Sequence, residues 1–138
     1  MKNTNVNWSV NAVLDSNIIL RLLAPDVASQ RESASSFLDK PKSEYFLSDT
    51  VFAEIIWVLT SFYEVPKGEA CEKMRQVLTI PSIKADSNLL ELTLSFYEAY
   101  SLSYIDAYSA AVAYQKKVPV ASFDKDFKKI PSITSVSP

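Results

Sequence analysis

The chain has 138 residues, of which 48% are hydrophobic and 22% charged, a composition typical of one globular domain and too apolar for a disordered chain. It contains no histidine, one cysteine and one glycine, which excludes Ser-His-Asp and Cys-His catalysis, an internal disulfide, a P-loop and a Gly-rich dinucleotide motif. The net charge of −2 has the wrong sign for a protein that coats nucleic acid by bulk charge.

Short β-like runs alternate with longer helical patterns, which predicts one α/β domain with a mostly parallel sheet and crossover helices. The predicted strands are 11–15, 45–48, 82–85, 118–122 and 133–136. The predicted helices are 16–23, ended by Pro25, then 29–40, 50–63, 68–79, 86–100 and 104–117, with a short turn at 125–129. In such sheets, ligands bind beyond the carboxyl ends of the strands.

We expect residues 1–138 to form a single domain, with residues 1–10 as an N-terminal lead-in. No apolar run reaches the roughly 18 residues of a membrane span, and the polar segment Met1 to Asn7 does not resemble a secretory signal. We therefore expect a cytoplasmic protein with no membrane association. The single thiol, Cys71, fits a reducing compartment and is assigned a packing role on its helix.

Carboxylates directly follow two of the predicted strands. Asp15 ends the first apolar run, and Asp124 and Asp126 come just after the fourth. The carboxyl ends of parallel strands meet at one edge of a sheet, where α/β proteins build ligand sites. A structural interpretation is open for each residue: Asp15 as the N-cap of the following helix, Asp124 and Asp126 as turn residues.

Two further acids lie on predicted helices. Glu54 lies at the margin of an apolar helical stripe, so its carboxylate must either reach solvent or meet a cation. Asp106 opens the Ala-rich last helix in the pattern Ser103-x-x-Asp106, which predicts a capping box with Ser103 as the N-cap. The position of Asp106 at the edge of the small-residue face also allows its carboxylate to enter a cleft.

The four acids Asp15, Glu54, Asp106 and Asp124 converge if the first and fourth strands are neighbours in the sheet. Because like charges disfavour ionisation, four carboxylates in one site need a cation. Without histidine or a cysteine cluster, an oxygen-seeking divalent ion, Mg²⁺ or Mn²⁺, is favoured over zinc.

Four segments, in this order, resemble the four sequence motifs of PIN domains. They are Leu14-Asp15-Ser16-Asn17, Phe52-Ala53-Glu54, Tyr104-Ile105-Asp106 and Ser122-Phe123-Asp124. The order, the spacing and the length of the chain match, and the resemblance extends over nearly the whole sequence. One such segment would be weak support, whereas four in order are specific for the fold.

The resemblance implies a three-layer α/β/α fold around a central, mostly parallel sheet of about five strands. It also implies endoribonuclease activity that uses Mg²⁺ or Mn²⁺. It assigns the catalytic and metal-binding roles to Asp15, Glu54, Asp106 and Asp124. Asn17, Ser122 and Asp126 receive supporting polar roles. We favour Asp124 over Asp126 as the fourth acid because Asp124 lies nearer the end of its strand.

Within the family, the chain is most similar to the VapC-like toxins of toxin–antitoxin pairs. This resemblance implies an RNA substrate, a homodimer and inhibition by a small antitoxin protein. RNA contacts are expected from Arg21, Lys116, Lys117 and Lys125, although the lysines also suit a solvated helix end. The alternative function is a catalytically inactive PIN-like module that binds another protein, with the acids serving only as caps.

Overall fold

The structure is a computed structural model that describes residues 10–24 and 28–138. The lead-in before Val10 and the predicted helix stop at Pro25 lie outside the described residues. Five strands, each two residues long, fall inside the five predicted runs. They are β1 (Ala12–Val13), β2 (Tyr45–Phe46), β3 (Ile83–Lys84), β4 (Val120–Ala121) and β5 (Ser135–Val136).

All strand pairs among the described residues are parallel, as predicted, but they form two sheets, β1-β2-β3 and β4-β5. The expected pairing of the first strand with the fourth is therefore absent from the hydrogen-bonded ladders of the described part. Pro119 gives a physical reason. The amides of Val120 and Ser122 donate to the carbonyls of Thr134 and Val136, so a partner on the other side of β4 would need the amides at 119 and 121. Proline has no amide hydrogen to donate.

The helices match the predicted periodicity. Within the described ranges they are α1 (Ser16–Leu23), α2 (Ala28–Leu38), α3 (Asp49–Trp57), α4 (Lys67–Leu78), α5 (Ser87–Ala99) and α6 (Tyr104–Lys116). A 3₁₀ turn covers Lys125–Lys129, as predicted. In the stretches that the structure describes, no helix combines the length and the apolar character needed to cross a bilayer.

The third predicted helix, 50–63, is not α-helical over its whole length. It begins as α3 and continues as a π-helix, Val58–Phe62, in which the amide of Tyr63 donates to the carbonyl of Val58. The Thr60 hydroxyl donates to the carbonyl of Ile56 at 2.9 Å. This side-chain bond to the preceding turn competes for a backbone acceptor, and such bonds often accompany irregular helical turns.

A single hydrophobic core joins the helices to the three-stranded sheet. The fully buried alanines of α6, Ala107, Ala110 and Ala111, let this helix pack closely against α5, and α3 packs against both α1 and α6. Cys71 is fully buried on α4, which confirms its predicted packing role. Burial raises the pKa of this thiol to about 11.

Candidate metal and nucleic-acid site

Polar residues follow each of the three paired strands at the same level. Val13 pairs with Phe46 and Phe46 with Lys84, so the residues two positions further on, Asp15, Ser48 and Asp86, stand at one edge of the sheet. Each is the N-cap of the helix that follows: α1, α3 and α5. The parallel register therefore brings three helix N-termini to the carboxyl edge of the sheet, and their dipoles favour negative charge there.

Asp15 is exposed and accepts a hydrogen bond from the amide of Asn17 at 3.4 Å. The N-cap interpretation is thus confirmed. The capping bond leaves other acceptor positions on the Asp15 carboxylate, because a carboxylate has about four lone-pair positions and the cap uses one. The side chain can both cap α1 and face a cation in solvent.

Asp106 lies half-buried in the first turn of α6. Its amide donates to the hydroxyl of Ser103 at 3.1 Å, so the predicted cap by Ser103 is present. The bond uses the backbone of Asp106 and leaves its carboxylate available.

Glu54 is exposed, so its carboxylate reaches solvent, which is one of the two outcomes predicted for it. It also lines a cavity of about 590 Å³. The opposite wall of this cavity includes Ser103 and Ile105 at the start of α6. The packing of α3 on α6 therefore brings Glu54 towards the helix end that carries Asp106.

Asp124 follows β4 and is exposed. The hydroxyl of Ser122 accepts from the amide of Asp124, and the carboxylate of Asp124 accepts from the amide of Asp126, both at 2.9 Å. The turn interpretation is confirmed for Asp124. Asp126 instead forms an ion pair with Lys129 at 3.0 Å, so its carboxylate already has a cationic partner. This difference supports Asp124 over Asp126 as the residue free to bind a metal.

Two residues at this edge are absent from the sequence-based site. The hydroxyl of Tyr108, on α6, donates to the carboxylate of Asp49, in the first turn of α3, at 2.5 Å. Burial, this hydrogen bond, and the charges of Asp49 and Asp86 raise the pKa of Tyr108 to about 12. Asp49 offered a signal that was missed: it comes just after the second strand, as Asp15 comes just after the first.

The donor set around this edge consists of oxygen atoms, which suits Mg²⁺ or Mn²⁺. Among residues 10–24 and 28–138, no three histidine, cysteine or acidic side chains are grouped closely enough to hold a metal ion. Mg²⁺ is commonly held by one or two carboxylates, with water and substrate phosphate in its other positions. The residues present therefore fit a hydrated ion on one or two carboxylates, and the four acids do not form a closed cage.

The four basic residues expected to contact RNA lie in different parts of the fold. Lys125 directly follows Asp124, on the side where β4 ends. Lys116 and Lys117 lie at the other end of α6, about 15 Å along the helix axis from Asp106. Arg21 lies in the last turn of α1 and lines a groove of about 410 Å³ between α1 and α2.

The family model described as "PIN domain" matches residues 12–133, a range that includes all four acids. No curated protein matches the sequence significantly.

Similar solved structures include VapC20 of Mycobacterium tuberculosis, described as a toxin that cleaves the sarcin–ricin loop, at 17% identity and a TM-score of 0.42, covering 86% of this chain and 93% of that one. VapBC2 of Rickettsia felis, bound to promoter DNA, has 14% identity and a TM-score of 0.38, covering 91% and 97%. A toxin–antitoxin complex from Klebsiella pneumoniae has 18% identity and a TM-score of 0.34, covering 89% and 95%. These similarities are too low to assign a function.

Proposed function

The chain belongs to the PIN-domain family, and from this premise we propose that it is a metal-dependent endoribonuclease that acts as the toxin of a toxin–antitoxin pair. The observation that carries the proposal is that the family match, residues 12–133, includes Asp15, Glu54, Asp106 and Asp124, with no acid of the four motifs missing. Asp15 and Asp106 lie in or next to the first turn of an α-helix, where the backbone dipole favours an anion.

We assign the ion, Mg²⁺ or Mn²⁺, to Asp15 and Asp106, with Glu54 and Asp124 completing the site directly or through water. When bound there, a divalent ion would supply Lewis acidity for phosphodiester hydrolysis and would offset the negative charge that develops on the phosphoryl oxygens. Asn17 and Ser122 support the site. The amide of Asn17 holds the carboxylate of Asp15, and the hydroxyl of Ser122 holds the amide of Asp124.

The substrate is RNA, which must approach an acidic edge. We expect Lys125, which directly follows Asp124 in the chain, to contact a phosphate close to the site. Arg21, Lys116 and Lys117 lie further away and would contact flanking nucleotides. We further propose a homodimer, an antitoxin protein as the inhibitory partner and a cytoplasmic location.

The test is cleavage of single-stranded RNA by the purified chain with Mg²⁺, with Mn²⁺ and with EDTA. Asp15→Asn and Asp106→Asn are compared with Asp39→Asn, a control at an exposed acid just after α2. We expect cleavage only with metal, loss in the two site variants and wild-type rates for the control. Equal cleavage in every arm would indicate a contaminating nuclease.

The alternative, an inactive module that binds a partner protein, predicts no Mn²⁺ binding by calorimetry and no metal-dependent cleavage. The toxin role has its own test. Expression of the intact chain should arrest growth, and Asp106→Asn should abolish the arrest. Harmless expression of an active nuclease would refute the toxin role and leave the enzymatic activity standing.

A further inference from the structure

The hydrogen bond from Tyr108 to Asp49 connects two elements that carry proposed site residues. Asp49 begins α3, the helix of Glu54, and Tyr108 lies two residues after Asp106 on α6. The two bonded residues are 59 positions apart in the chain. The bond is charge-assisted, because a phenol donates to a carboxylate, and such bonds are about twice as strong as neutral ones.

A second residue of α6, Tyr104, also packs against α3. Tyr104 lies one turn before Tyr108, and its ring packs 6.3 Å from that of Phe52 on α3 and 5.4 Å from that of Tyr97. The Tyr104 hydroxyl is buried without a hydrogen-bond partner among the described residues, so its contribution is packing. In the described part of the chain, Tyr108 makes the side-chain hydrogen bond between α3 and α6 at this end.

Residues two positions apart on a helix project about 200° from each other. Holding Tyr108 against Asp49 therefore fixes the rotation of α6 and, with it, the direction in which the Asp106 side chain leaves the helix. A small rotation of α6 would carry the Asp106 carboxylate sideways, and metal coordination tolerates little such displacement because its ligand distances are short.

We propose that Tyr108 and Asp49 are positioning residues of the metal site: their hydrogen bond sets the rotation of α6 against α3 and thereby the direction in which Asp106 faces the ion. The inference rests on the proposed nuclease function. It assigns neither residue to the metal or to the substrate. Partners that hydrogen-bond directly to a metal ligand typically change metal affinity or activity by about 10–100-fold when removed, and because these two residues act through the helix, we expect an effect at the lower end of that range.

The decisive variant is Tyr108→Phe, which deletes the hydroxyl and keeps the ring. Its matched control is Tyr114→Phe, on the same helix, where the exposed ring packs edge-on against Phe96. Mn²⁺ binding is measured by calorimetry without RNA, and kcat and KM are measured separately with RNA. We expect Tyr108→Phe to weaken Mn²⁺ binding by about tenfold and to lower kcat with KM unchanged. We expect Tyr114→Phe to match the wild type.

A second pair of variants tests whether a loss of Mn²⁺ affinity results only from a less stable fold. Asp49→Asn keeps an oxygen acceptor for the Tyr108 hydroxyl, whereas Asp49→Ala removes it. We expect Mn²⁺ affinity in Asp49→Asn to stay closer to the wild type than in Asp49→Ala.

If the wild type binds Mn²⁺ and Tyr108→Phe binds it equally well, the positioning role is overturned and the proposed function is untouched. If the wild type neither binds Mn²⁺ nor cleaves RNA, the proposed function fails and the positioning role fails with it.

Discussion

Asp15 and Asp86 stand at the same level of the sheet, each two residues beyond a paired position, with β2 between them. Because neighbouring strands lie about 4.8 Å apart, their backbones are separated by about 10 Å. Asp49 begins the helix that follows the intervening strand. Each of the three strands of this sheet is therefore followed, at or close to its carboxyl end, by an acidic residue.

The variant Asp15→Asn distinguishes the capping role of Asp15 from its proposed role as a metal ligand. Asn is as good an N-cap as Asp, so Asp15→Asn should change the free energy of unfolding by less than about 0.5 kcal/mol. Its loss of a negative ligand should weaken Mn²⁺ binding at least about tenfold. Urea denaturation and calorimetry on the same samples measure the two effects. Asp86→Asn is the matched control at the same level of the sheet, and a larger loss of Mn²⁺ affinity in that control would contradict our assignment of the ion to Asp15.

We expect the Ser103 cap of α6 to contribute to the free energy of unfolding. Ser103→Ala removes the acceptor for the Asp106 amide and should lower the free energy of unfolding by about 1 kcal/mol. Urea unfolding followed by circular dichroism gives the value. Ser101→Ala, at an exposed position two residues earlier, is expected to have little effect. Equal stabilities of the two variants would show that the Ser103 bond contributes nothing measurable.

Lys117 ends α6 in the left-handed conformation, with φ of 58°. Glycine adopts this conformation without steric cost, so Lys117→Gly should raise the free energy of unfolding by up to about 1 kcal/mol. The same change one residue earlier, Lys116→Gly, lies within the helix and should lower it by a similar amount. Opposite signs in thermal denaturation would support the assignment, whereas a destabilised Lys117→Gly would refute it.

Lys125 gives a test of the RNA contact. If it binds a phosphate, Lys125→Gln should raise KM for RNA with little change in kcat, and the slope of log KM against log salt should decrease by about one. Lys73→Gln is a suitable control because Lys73 lies on α4, where it pairs with Glu69. A rise in KM that is as large in the control would assign the effect to overall charge.

The buried thiol of Cys71 predicts both slow labelling and a pH dependence. Its pKa rises from 9.0 to about 11 on folding, so the unfolded chain loses the thiol proton more readily. This contribution to stability is complete below pH 9 and is lost between pH 9 and 11. Urea unfolding across this range should show a shallower decline in Cys71→Ala than in the wild type. A thiol reagent at pH 8 should label the wild type only on unfolding, and fast labelling of the folded protein would contradict the burial.

Much of the fold follows from short-range patterns in the sequence. The alternation of strands and helices depends on apolar periodicity, which is a local property of each segment. The caps at Asp15 and Ser103 were predictable for the same reason, because each capping bond spans two or three residues. The family match, over 12–133, agrees with the four-motif resemblance read from the sequence. Whether the four acids share an ion remains a prediction.

Local sequence patterns were sufficient to locate the carboxylate and hydroxyl side chains at particular helix and strand ends. Which of these ends meet depends on how the elements pack in three dimensions. The bond between Tyr108 and Asp49 joins positions far apart in the chain, and it depends on how α6 packs on α3. The separation of β4 from β1 likewise depends on which amides near Pro119 remain free to pair. Such contacts arise from the packing of whole elements, whose free energy no local pattern of residues encodes.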